Sequence, residues 1–335
     1  MPPHSLVART PPLAARPGSP YPPWRGYTSA MNRKLLKIST LVFVLSVSGC
    51  DSDRLSQFGS FAAAGTAYVT TFKTFTDDAG SAFIATDSAA LITARNIAGA
   101  DVVSSHAPTY VKNVSDGDQQ MRQYLDALKK LDNHAALLGA YFAAITQLTN
   151  GQASAATVAS LDSLTDSINT FNPEIEQASF AGKNVKDFIQ AGTTLVFAHF
   201  EVKALDAELK RSAPVIDRAL ALQEAAVAAL SSQMHDSVAA SLEVKESTEV
   251  INPYVSSAPL PNTWAANREA YLRQNVSLQS ADCASAAIKD LHAAFTKLVT
   301  DRNSKIDFSS LETAIGKMAG YASAASASTS KPATP

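Results

Sequence analysis

Cysteine is scarce in this chain of 335 residues, with Cys50 and Cys283 the only two. No paired cysteines, no glycine-rich phosphate loop and no G-x-S-x-G elbow behind a strand occur. Also missing are the spacings by which a helical protein brings two metal ligands onto one face, Glu-x-x-His and His-x-x-x-His. Three positions before His106, His134, His199, His235 and His292 stand Val103, Leu131, Val196, Ser232 and Lys289. No metal, cofactor or catalytic residue is therefore expected, and an enzyme would need distant residues to converge in one cleft. Runs of Lys and Arg are absent too. Without clustered cations the chain is not expected to bind nucleic acid, nor to adhere electrostatically to anionic lipid heads.

What the chain does contain is enough apolar side chain, 46%, for a real core. The formal net charge of −2 conceals an asymmetry: all 30 acidic residues follow position 49, whereas six basic residues precede it. The remainder of the chain is thus acidic. Residues 1–30 hold eight prolines and show neither helical nor strand periodicity, so they predict no packed element. Such an extension sits poorly in front of a targeting signal, and translation is expected to start at Met31.

From Met31 the order is a basic segment with Arg33, Lys34 and Lys37, an apolar run from Ile38 to Val47, and then small residues. That is the plan of a secretory signal over 31–49, and its apolar run is too short to span a bilayer, which takes roughly 20 such residues. Val47-Ser48-Gly49-Cys50 resembles the lipobox of bacterial lipoprotein precursors, departing from its commonest form only in Val47 where Leu is usual. The resemblance implies cleavage between Gly49 and Cys50, a diacylglycerol on the Cys50 thiol, and attachment to a membrane of the bacterial cell envelope at its periplasmic face. Asp51 resembles the retention signal of enteric bacteria, which implies the inner rather than the outer membrane. Cys283 would then be left without a disulfide partner, and is read as a small buried apolar residue.

Beyond Asp53 apolar residues recur at three and four, which predicts an all-α fold: an extended antiparallel bundle of long helices joined by short turns, over 50–326, with a disordered Ala/Ser/Thr tail over 327–335. Helices are expected over 53–97 and 117–149, with a linker at 98–116 around Gly99 and Pro108. Val158 to Phe171 reads as a short helix ended by Asn172-Pro173. Helix is then read through 183–211, restarted by Pro214 and carried to 250 by the stripe Val215, Ala219, Leu222, Ala226, Leu230, Met234, Val238 and Leu242. The last helices are expected over 262–277, 281–303 and 309–326, the final one opened by a capping box of Ser309 and Glu312.

Four features bear on function. His199 lies on a mostly apolar row and reads as a buried, hydrogen-bonded histidine rather than a ligand. Glu243, Glu246 and Glu249 step by three and read as a solvated face rather than a cation site. Phe171, Phe180, Phe188, Phe197 and Phe200 could line a cavity for an apolar ligand, although core filling explains them as well. Trp264, behind Pro259 and Pro261, is either a contact for a partner protein or a staple that fixes how the chain enters its helix. The expected role is a tethered scaffold with envelope protein partners. The alternatives are a lipoprotein holding a small apolar ligand and an enzyme acting on cell wall or lipid.

Overall fold

The computed structural model describes residues 50–151, 155–180, 183–188, 203–301 and 305–326. They are helical almost throughout, as the spacing predicts: α1 Cys50–Ala98, α2 Ala100–Ser105, α3 Ala107–Thr149, α4 Ala155–Glu176, α5 Lys203–Met234, α6 Ala240–Lys245, α7 Asn252–Val255, α8 Trp264–Thr300 and α9 Ser309–Ser326. The fold is a helical bundle of long helices. The expectations for residues 1–49, for the tail 327–335 and for His199 fall outside the described residues.

Several breaks inferred from proline and glycine are not breaks. The linker at 98–116 shrinks to Gly99 and His106, because Gly99 alone takes the left-handed turn, at φ 83°, and Pro108 sits in the first turn of α3, where its missing N–H costs nothing. Pro173 lies inside α4 and Pro214 inside α5, so neither stops its helix. Near the end of α4 proline removes one hydrogen bond, and Asn172, instead of ending the helix, is buried within it. The two helices expected over 262–277 and 281–303 are one, α8, which ends at Thr300. Ser309 and Glu312 do not make the expected reciprocal cap; Asp307 accepts the Ser309 N–H at 2.9 Å instead, which holds its carboxyl below the usual range. Residues 183–188 are not α-helical. β1 Ser179–Phe180 and β2 Lys183–Asn184 pair as a two-stranded antiparallel ladder that runs into a 3₁₀ turn at Val185–Phe188.

Side-chain pairings fix the helix directions. Lys73 meets Asp132 and a Cβ at Gly59 would meet Thr149, so α1 and α3 are antiparallel. Tyr141 meets Ser212 and His134 meets Gln223, so α3 and α5 are antiparallel. Asp217 of α5 meets His292 and Lys245 of α6 meets Gln274, so α8 returns along α5 and α6. The exception to the up-and-down order is α4, which runs parallel to α5: Asp162 and Glu176 pair with Arg211 and Arg218 respectively. Two parallel neighbours cannot be joined by a short turn, and in the sequence 26 residues, 177–202, separate α4 from α5.

Aromatic rings fill the core. Phe58, Phe61, Tyr68, Phe72 and Phe75 of α1 are all buried with Phe142 of α3 and Phe295 of α8. Phe61 meets the Phe142 ring edge-on at 5.4 Å and lies 5.6 Å from Phe295. Gly65 permits this approach, since a Cβ there would stand 2.5 Å from the Phe142 ring. Burial then ceases abruptly. None of residues 84–123, around the α1–α3 turn, and none of residues 243–273, around the α7–α8 turn, is buried among those whose side chains are described. Both stretches are hairpin arms that extend past the core. Because α1 and α5 run the same way, both arms leave the bundle at the end opposite Cys50.

Candidate functional site

Tyr68 of α1, His134 of α3, Asn172 of α4 and Gln223 of α5 bring four polar side chains to one place in the interior, each at most 1% exposed. His134 Nδ1 lies 2.9 Å from Gln223 Oε1 and its Nε2 3.1 Å from Asn172 Oδ1, while Phe171 stacks on the ring at 6.2 Å. Burial pushes the imidazole below its ordinary value, and its hydrogen bonds to the two amides pull it partly back. The ring is therefore neutral at pH 7. Burial likewise raises the Tyr68 phenol, whose hydroxyl makes no hydrogen bond. A neutral imidazole offers one N–H and one lone pair, so it can donate to only one of the two amide oxygens. The other amide must present its nitrogen, and both Asn172 Nδ2 and Gln223 Nε2 lack another partner.

His292 has the opposite environment. Its Nδ1 stands 2.7 Å from Glu224 Oε2 and its Nε2 3.2 Å from Asp217 Oδ1, which ties α8 to α5. Burial alone would lower this imidazole, but hydrogen bonds and charge from Asp217 and Glu224 outweigh it and push the ring up to about 9. It is held as an imidazolium between two carboxylates. The two ring nitrogens point in opposite directions, so the three groups cannot converge on one ion. Among the described residues no group of three His, Cys, Asp or Glu side chains could hold a metal.

Trp264 opens α8 at the base of the second arm's turn. Its indole stacks on Tyr254 at 5.5 Å, and its Nε1–H donates to the Val250 carbonyl at 2.9 Å, so it ties the incoming chain of α7 to the start of α8. Around it Ile251, Tyr254, Val255 and Leu260 are exposed, and no charged residue occurs from Val250 to Asn267. Cys50 is the first residue of α1, and Gly49 lies outside the described residues. The three glutamates do not share one α-helical face: α6 carries Glu243, and Glu246 and Glu249 sit in a π-helical turn, Glu246–Ile251, where Glu246 meets the Tyr271 phenol. Of the five phenylalanines proposed to line a cavity, Phe180 is buried, Phe171 and Phe188 are half-buried, and Phe197 and Phe200 lie outside the described residues. Cys283 is half-buried, and burial raises its thiol above the ordinary value.

Neither a protein-family model nor a curated protein nor a solved structure matches this chain. Among the described residues no helix is long and apolar enough to cross a membrane.

Both histidine sites, the buried His134 and the half-buried His292, were missed in the sequence, for different reasons. His134 falls between Leu131 and Leu138 at the three and four spacing of the α3 stripe, so its burial was signalled, but its partners lie 38 and 89 residues away. Asp217 and Glu224 stand two turns apart on one face of α5, and nothing local couples them to a histidine 68 residues on.

Proposed function

We propose that this chain is a lipid-anchored lipoprotein of the bacterial envelope whose helical bundle is a scaffold, presenting two apolar-tipped arms away from the membrane to envelope protein partners. The observation that carries this reading is the lipobox-like Val47-Ser48-Gly49-Cys50 directly behind a basic and apolar signal. The course of α1 supports it. This helix begins at Cys50 and runs for 49 residues, about 72 Å at the α-helical rise, so both arms stand far from an anchored end. Ile97 and Val255, at the two turns, are 82% and 72% exposed, the kind of apolar surface that a partner covers.

Cell fractionation of Cys50→Ser tests the anchor. Two or three acyl chains contribute about 0.8 kcal/mol per buried methylene, so the variant should leave the membrane fraction for the soluble one. Complete retention with membranes would end the proposal. On a density gradient the wild type should run with the inner membrane, and co-migration with outer-membrane porins would move it to the other one.

A further inference from the structure

The seam that holds α4 onto the bundle is unusually polar. Its buried positions are Thr157, Leu161, Thr165, Ile168, Asn172 and Ile175, so three apolar side chains alternate with three polar ones. The same helix faces α5 through exposed or half-exposed ion pairs, Asp162 with Arg211 and Glu176 with Arg218. By contrast α5 buries Ile216, Leu220, Leu222, Val227, Leu230 and Met234. Near the end of its seam α4 reaches the interior through Asn172, and what it touches there is His134.

We propose that α4 is a proton-released strap, latched to the bundle while His134 is neutral and loosened when His134 takes up a proton. The neutral ring joins Gln223 and Asn172 in one hydrogen-bonded chain from α5 through α3 to α4, with one amide turned to donate. An added proton removes the ring's only lone pair and puts a whole charge into the interior.

Among the described residues no charged group faces that charge, and the two amides offset it only in part. The ring faces the two amides and Phe171, and α1 contributes the uncharged Tyr68 phenol beyond Gln223. The charged residues close by on these helices are engaged outside the cluster: Asp132 with Lys73 of α1, Lys130 with Asp126, and Glu176 with Arg218. Water is the remaining source of solvation, and it reaches the ring most cheaply where the seam is thinnest, by α4 lifting away. The open form binds a proton near the ordinary imidazole value and the closed form binds it at lower pH. Below about pH 6.5 each unit of acidification can therefore favour opening up to tenfold, until the closed-state value is reached. The inference does not depend on the lipid anchor.

Amide hydrogen exchange on the full chain in mild detergent, corrected for the intrinsic pH dependence of exchange, tests this between pH 7.5 and 5. Protection across 155–176 should fall by up to tenfold per unit below about 6.5, while α5 and α8 keep theirs, because His292 stays protonated throughout that range. His134→Gln should make α4 protection independent of pH. Should that variant not fold, Asn172→Asp provides the second arm: a carboxylate beside the ring holds the imidazolium, so α4 should stay protected on acidification. Unchanged α4 protection in the wild type would overturn the proposal. So would equal loosening of every helix, a His134→Gln chain that keeps the wild-type pH response, or an Asn172→Asp chain that loosens as the wild type does.

Discussion

The core of the bundle and its two arms have similar local sequence signals and different energetics. In the core, each turn of α1 from Phe58 to Phe83 delivers a side chain that is almost wholly buried. In the arms, Ile92, Ile97, Val102, Val111 and Val114 on one side and Val244, Ile251, Tyr254, Val255 and Leu260 on the other remain exposed. Apolar side chains left in water contribute little to stability. Helix in the arms rests on propagation from turns already formed in the core, because continuing a helix is far easier than nucleating one. Apolar spacing alone does not distinguish these cases, since it reports that a stripe exists and not whether anything covers it.

The largest expected effect tests this division directly. Phe142 is fully buried against the Phe61 edge, so Phe142→Ala should lower the unfolding free energy by about 3–5 kcal/mol, through lost burial and the cavity left behind. Gly65→Ala should cost about 1–3 kcal/mol by driving a methyl into the same ring. Ile97→Ala in the first arm should stay within about 0.5 kcal/mol of the wild type. Urea unfolding of the three variants measures all of this, and a Phe142→Ala chain no weaker than Ile97→Ala would abolish the distinction.

A smaller effect is confined to the core and depends on pH. The His292 imidazole is raised in the folded chain, so its clamp stabilises fully below the ordinary value of 6.5 and is lost as pH climbs through about 9. The upper limit is about 3 kcal/mol, at 1.36 kcal/mol per pH unit. Unfolding curves at pH 6, 8 and 10 should show that decline in the wild type and a shallower one in Glu224→Gln. Parallel pH profiles for the two proteins would show that Glu224 does not hold the charge.

How much of this was legible can be judged residue by residue. The all-helical fold, the extent of α1 and the bounds of α9 followed from spacing, because stripes of that length have one solution. Prolines 108, 173 and 214 misled, since proline marks a boundary only where the surrounding burial does not favour a continuous helix. One signal was present and unread. Leu222, Ala226, Leu230, Met234, Val238 and Leu242 step by four each time and are all buried. A regular α-helix drifts off one face at that spacing, at about 40° per step. The chain keeps the stripe inward through the π-helical turn His235–Ala239, whose wider winding suits four-residue steps. The His134 cluster and the His292 clamp were illegible for another reason: their partners meet only through the helix directions, and the parallel placement of α4 beside α5 has no local mark.

The smallest expected effect lies in the second arm, where stability and local order should separate. Val255→Ser changes an exposed side chain with no core contact, and the midpoint of global unfolding should not move measurably. Trp264→Ala removes both the stack on Tyr254 and the hydrogen bond to the Val250 carbonyl, which together tie the turn between α7 and α8. Because no residue from 243 to 273 is buried, that loss should remain local. Amides of 250–263 should exchange faster in Trp264→Ala, while those around Ala287 and Leu291 in α8 keep their wild-type protection. Trp24 is the only other tryptophan, so in a chain cleaved before Cys50 the indole emission reports on Trp264 alone. That emission should be quenched by acrylamide to a degree between a buried and a free indole, in keeping with its half-buried position. A Trp264→Ala chain that unfolds as readily as Phe142→Ala would mean that the arm belongs to the cooperative core, and the contrast between the two regions would fail at its weakest contact.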